Sequence, residues 1–212
     1  ITRIQADCME VSGSKSVVSA SHPSLGEAVQ GMLQQFRIPN ALRVKSLRVG
    51  LAAGVARNTR VMQARLKNFT KRLPRFKLLK RAGVNTAMLI RTGGLAALMH
   101  GFGSSGVAPS VLLHQRRAVL AASAPKSGLG GQELEVSMMI ADATKTGKAD
   151  PAFPAHVDVI RHWAQAVWNR WLPIESLQKS VDFARTRVTE AVRPWSVANG
   201  PAVALLLTLE RV

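Results

Sequence analysis

The side chains numerous and close enough here to do chemistry together are lysine and arginine, and their chemistry is the gripping of anions. From Ala28 to Gln132 the chain carries 18 Lys and Arg and no Asp or Glu. The remainder carries 11 basic and 12 acidic residues, so the whole formal charge excess of +17 lies in one contiguous half. Within that half the candidate phosphate contacts are Lys45, Arg57, Arg60, Arg65, Lys67, Lys71, Arg72, Arg75, Lys77, Lys80 and Arg81. A field of one sign draws polyanions and speeds encounter. Nucleic acid is the commonest such partner, and counterion release would supply much of the affinity. A solvated surface with no such task usually mixes its signs.

Other chemistries find little to use. The histidines His22, His100, His114, His156 and His162 have no partner at metal-ligand spacing. They read as ordinary surface or core residues, and no metal site is predicted. The run Gly101–Gly106 mimics a dinucleotide fingerprint but lacks a surrounding βαβ unit, so it reads as a loop. Two-metal phosphoryl transfer needs carboxylates to hold the ions. Asp7 and Glu10, near the start of the N-terminal segment, sit in no metal pattern, which argues against a self-sufficient polymerase or nuclease. The lone Cys8 can form no internal disulfide. It fits a reducing, intracellular setting, nuclear or cytoplasmic. No run of apolar residues is long enough to span a membrane. The opening Ile1-Thr2-Arg3, with neither Met nor signal pattern, reads as a chain cut from something longer.

The elements that must position these cations can be read from periodicity. Ser16–Ala20 is strand-like. Pro23-Ser24 opens a helix with Leu25, Ala28, Val29, Met32 and Leu33 on one face, and Ser24 with Glu27 suggests a capping box. Residues 42–56 alternate as a short hairpin. Asn58 is expected to cap a helix whose stripe Met62, Leu66, Phe69, Leu73, Phe76 continues past Pro74, which predicts a kink or two helices joined near Leu73. Gly83 is expected as its C-cap. A helix over 85–99 contains Gly93-Gly94, implying close packing or a break, and Pro109 starts another to Ala124. Residues 125–150 read as an irregular linker. Beyond it, Val157, Ile160, Ala164, Val167, Trp168 and Trp171 mark one helix face, Leu177–Val192 forms a second helix, and Ala202–Leu209 is apolar without clear period. Trp163, Trp168, Trp171 and Trp195 could stack on bases but read chiefly as core.

Several motifs, in order, resemble a known family. The run from Met9 through Lys15 to Ser21 resembles the fourth palm motif of reverse transcriptases of non-LTR (LINE-like) retrotransposons, the segment after their catalytic Asp pair. Val44–Gly50 resembles the primer-grip hairpin of that family, with Arg48 where the family has Gly, a departure that weighs against a tight turn. The Arg-rich stretch from Arg57 to Arg81, then Gly83, then the small-residue helix Thr86–Gly101, is similar to the thumb and post-thumb region. Asp150-Pro151-Ala152 and His162-Trp163-Ala164 through Trp168 look like the tail of retroelement reading frames. The resemblance covers about residues 9–125 reasonably and the rest loosely, through the order and spacing of motifs that are each short.

The resemblance implies roles. Lys15 would protonate the pyrophosphate leaving group, a general-acid step typically worth a factor of about 10² to 10⁴. Leu47, Arg48, Val49 and Gly50 would form the primer grip. The thumb cations from Arg60 to Arg75 would touch template–primer phosphates. The chain itself would bind RNA or an RNA–DNA hybrid without catalysis or cofactor, with Mg arriving only with the missing catalytic palm, upstream in the same polyprotein. The expected fold is α+β, mostly α: a palm remnant with hairpin over 1–56, a basic thumb-like bundle over 57–124, a linker over 125–150, and a C-terminal helical unit over 151–212. Two other readings fit the composition. One is a free-standing basic RNA-binding helical protein. The other is a membrane-surface binder that uses the Met62–Phe76 stripe.

Overall fold

In the computed structural model, which describes residues 12–46, 49–54, 57–124, 134–141 and 149–212, the chain is mostly helical with one small antiparallel sheet. A 3₁₀ turn at Gly13–Lys15 leads to α1 (Pro23–Met32). The expected N-terminal strand is reduced to one parallel bridge, Val18 to Asn40. The expected capping box does not form. Pro23 already occupies the first turn of α1, so Ser24 lies inside the helix, and its hydroxyl pairs with His22 Nδ1 at 2.8 Å. Leu25 and Met32, expected on the buried face, are exposed, and Gly26 is buried instead, with Asn40 lying against it.

The hairpin forms as expected. Strand β1 (Arg43–Ser46) pairs with β2 (Val49–Ala52) in the register Arg43 to Ala52 and Ser46 to Val49. Asn58 then ties the sheet to the helix after it. Its Nδ2 donates to the Val44 and Leu51 carbonyls at 3.1 and 2.9 Å, and its Oδ1 accepts from the Arg60 amide at 3.3 Å. The N-cap position itself belongs to Thr59, one residue later than expected.

The stripe Met62, Leu66, Phe69, Leu73, Phe76 runs along α2 (Arg60–Thr70) and α3 (Leu73–Arg81), with a break at Lys71-Arg72. Pro74 falls in the first turn of α3, where its missing N–H has no intrahelical partner to lose. Phe69 and Phe76 meet across the break with ring centroids 5.9 Å apart. Gly83, at φ 81°, closes α3: the Val84 amide reaches the Leu79 carbonyl at 3.0 Å, a Schellman ending. The next helix, α4, runs as Thr86–Leu89, widens into a π turn at Ile90–Gly94 and resumes as Leu95–Met99. Gly94, in that turn, lets the Phe69 ring pack close, because a Cβ there would stand 3.2 Å from it. Gly101–Gly106, expected as a loop, contains the short helix α5 (Phe102–Ser105) held between two left-handed glycines.

Helix α6 (Pro109–Ser123) packs on α3 and α4, burying Ala118, Val119, Leu120 and Ala122 with Phe69, Ile90, Leu95 and Leu98. The irregular linker expected over 125–150 gives way, among the described residues, to α7 (Leu134–Ala141), whose Met138 enters that same core. Arg116 on α6 clasps Asp150 through two of its nitrogens at 2.7–3.0 Å, and Asp150 in turn accepts from the Ala152 amide. That carboxylate sets the start of α8 (Ala152–Trp168).

Helices α9 (Ile174–Glu190) and α10 (Pro201–Leu209) complete the fold. Helix α10 buries Val203, Ala204, Leu205, Leu207 and Thr208, nearly its whole circumference, which is why its sequence shows no period. It packs on α8, α9 and α5. The buried face of α8 is Ala155 and Val159, with Ile160 and Trp163 half-buried. The expected face is therefore out of phase, and Trp168 and Trp171 are 87% and 61% exposed. No described helix is long and apolar enough to cross a membrane.

Two stability predictions arise here. Gln115 on α6 is fully buried, and neither its Oε1 nor its Nε2 finds a hydrogen-bond partner among the described residues. A buried unpaired amide costs about 1–3 kcal/mol. Gln115→Leu is expected to raise stability by roughly 1–2 kcal/mol in a urea titration; a lower midpoint would mean the amide is satisfied in solution. His156 on α8 has its pKa pushed below the usual histidine value, chiefly by burial and next by the Arg211 charge. The unfolded chain therefore takes up this proton more readily than the folded one. The contribution is present above about pH 6.5 and is lost as pH falls toward the folded pKa. His156→Gln should shrink the difference in Tm between neutral and mildly acidic buffer.

Candidate nucleic-acid interface

Helix α2 sorts its side chains by direction. At about 100° per residue, Arg60, Lys67 and Lys71 fall within about 20° of one line, opposite buried Met62 and Phe69. All three are exposed, and the line is about 16 Å long, the rise of roughly five nucleotides along one strand. Arg72 comes next in the break, and Arg75, Lys77 and Arg81 are exposed on α3. None of these seven has a carboxylate partner among the described residues. Like charges four apart, such as Lys67 and Lys71, cost an isolated helix a few tenths of a kcal/mol. No described carboxylate offsets that cost. Beside them is a cleft of about 440 Å³ whose walls include Phe69, Phe76 and Gly94 and whose polar lining includes Asn68, Arg72 and Arg65.

Four of the eleven candidate cations are not on this surface: Lys45, on β1, and three that are bound within the fold. Arg57 is 8% exposed and donates to the Ser105 carbonyl at 2.9 Å and to the Gly106 carbonyl, at the C-terminal end of α5. Burial pushes its pKa down to about 10, so it stays charged at neutral pH. Arg65 donates to the His100 carbonyl, where α4 ends. Lys80 donates to the Ala121 and Ala124 carbonyls, both at 3.0 Å, where α6 ends, and burial followed by the Lys77 charge pushes its pKa down. Helix C-termini expose unpaired carbonyls and partial negative charge. In a segment without acids they are the anions available, and these three side chains cap them.

The other expected residues are scattered. Lys45 is exposed on β1, on the same strand face as Arg43. Val49 packs where a Cβ on Gly101 would come within 3.0 Å, and Gly50 lets Asn58 approach, since a Cβ there would be 3.0 Å from its carbonyl oxygen. The turn residues Leu47 and Arg48, and Cys8 with most of the run from Met9, lie outside the described residues. Lys15 is exposed at the end of its 3₁₀ turn, which is seated by Gly13 against the Phe36 carbonyl. The apolar stripe from Met62 to Phe76 is core, so it offers no face to a membrane. Among the described residues no three metal-ligating side chains come together.

The fold and the surface thus define a mostly helical protein with a two-stranded hairpin and a cationic face on α2 and α3. Comparison with protein-family models, with curated proteins and with solved structures returned no match.

Proposed function

We propose that the exposed cations of α2 and α3 grip the phosphate backbone of nucleic acid. The observation that carries this reading is the row Arg60, Lys67, Lys71, opposite the core and without a carboxylate partner among the described residues. Contacts of this kind position a backbone and read no sequence.

The finer proposal is that the chain is the post-catalytic part of a non-LTR retrotransposon reverse transcriptase, a binder of RNA–DNA primer–template that lacks its own catalytic Asp pair. The order of elements supports it: a hairpin over Arg43–Ala52, a basic helix pair broken before Pro74, then a glycine-bearing helix, the sequence of parts that a primer grip and thumb would require. In this reading Val49 and Gly50 fix the hairpin against the helices. Lys15 acts as general acid once an upstream palm supplies the carboxylates and their Mg. A free-standing RNA-binding protein is the second reading, favoured by the same cationic face alone.

The test is a salt titration of binding to a recessed RNA–DNA hybrid, beside single-stranded RNA and anionic vesicles. A steep salt slope with preference for the hybrid supports the polymerase reading. Equal affinity for RNA without a recessed end favours the second, and preference for vesicles overturns both.

A further inference from the structure

The turn from α8 to α9 exposes what most folds hide. Trp168 and Trp171 are 87% and 61% exposed, on either side of Arg170. From Trp163 to Ile174 the sequence has no other charged side chain. Arg170 takes φ 50°, a left-handed conformation that glycine adopts without penalty and arginine does not. The Trp171 amide reaches back to the Ala166 carbonyl at 3.0 Å, so this residue is the helix-ending position where glycine is the usual choice. A cation is kept there at a conformational cost. Beneath the turn, Trp163, Trp171, Leu172, Leu177 and Ala202 wall a groove of about 610 Å³, with His162 also in its lining. That volume is within the range of small-ligand sites.

We propose that this turn is a second nucleic-acid site, one for unpaired nucleotides. Bases stack on Trp168 and Trp171, one base enters the groove beside Trp163, and Arg170 meets the phosphate between them. Flat rings with a cation between them, the next charge being Glu175 in the first turn of α9, match a strand that alternates π faces with negative charge. The proposal rests on the nucleic-acid reading above but uses a different surface, because α2 and α3 hold a backbone without needing its bases.

The experiment measures binding of the full chain to a short oligouridylate, an abasic strand of the same length and a blunt duplex. Trp168→Ala/Trp171→Ala is expected to weaken oligouridylate binding at least about thirty-fold, since each stacked base is typically worth a factor of five or more. Affinity for the abasic strand and the duplex should change less than about twofold. Both rings are exposed, so Tm should hold. Arg170→Gly should raise Tm by about 2–4 °C while weakening oligouridylate binding. Unchanged oligouridylate affinity in the tryptophan variant overturns the proposal. So does an equal loss on the abasic strand, or tryptophan fluorescence that responds to phosphatidylglycerol–phosphatidylcholine vesicles but not to oligouridylate. Failure here with intact, salt-dependent duplex binding leaves the α2–α3 reading standing; loss of all nucleic-acid binding in the wild-type chain overturns both.

Discussion

Changing Arg60, Lys67 and Lys71 together to alanine is expected to weaken binding to an RNA–DNA hybrid by roughly a thousandfold at about 0.1 M salt. Each neutralised phosphate adds about 0.9 to the salt slope, so each contact is worth nearly tenfold at that ionic strength. Three lost contacts should make the slope shallower by about three. The fold should survive the change. Alanine is the best helix former, the three side chains face away from Met62 and Phe69, and removing Lys67 and Lys71 relieves a like-charge pair. A loss of affinity with Tm unchanged or raised therefore reports on the surface alone. The matched control is Lys80→Met. Its amine caps the end of α6 through the Ala121 and Ala124 carbonyls, so that change should lower Tm and leave the slope nearly as it was. If the triple variant keeps the wild-type slope, the row does not meet phosphates and the proposed function loses its mechanism.

Trp195→Ala is expected to lower stability by about 3 kcal/mol, a fall in Tm of roughly 6–12 °C. Two guanidiniums stand over the indole, Arg57 at 5.5 Å and Arg211 at 5.6 Å from its ring centroid. Its edge also fills the space over Gly106, where an added Cβ would stand 3.0 Å from the ring. Arg57 comes from the segment before α2, Gly106 from the end of α5, and Arg211 lies just past α10 and donates to the Val107 carbonyl at 3.0 Å. Removing the ring opens a cavity and strips a buried cation of its aromatic neighbour. Arg57 also fixes the pH direction. Burial holds its pKa down at about 10, well below the ordinary guanidinium range, so the penalty is constant through neutral pH and eases only as pH rises above about 10. Thermal unfolding at neutral pH is the measurement, and a loss of Tm below about 2 °C would show that Trp195 does not join these three segments.

Features that depend on near neighbours were legible in the order of residues. Alternation set the hairpin at Arg43–Ala52, the three-four spacing set the stripe from Met62 to Phe76, Pro74 set the break, and Gly83 set the end of α3. The charge was legible for a related reason, because an acid-free stretch of 18 cations has no internal way to become neutral.

Features that depend on distant partners emerged only as the helices packed. Helix α7 is only eight residues long, too short to stand on its own propensity, and Met138 joins it to a core assembled from α2, α4 and α6. Helix α10 is buried almost all round and so has no periodic signature. The buried face of α8 is set by where Ala155 and Val159 meet their neighbours, a phase error that hid Trp168 and Trp171 in the sequence and exposes them in the fold. The division among the cations was equally hidden. Arg57, Arg65 and Lys80 bind carbonyls 35 to 49 residues further along the chain, while the side chains of Arg60, Lys67 and Lys71 bind nothing in the described protein. Local spacing registers only that a side chain is positive. Whether it caps a helix end or is left for a phosphate is settled when the helices pack.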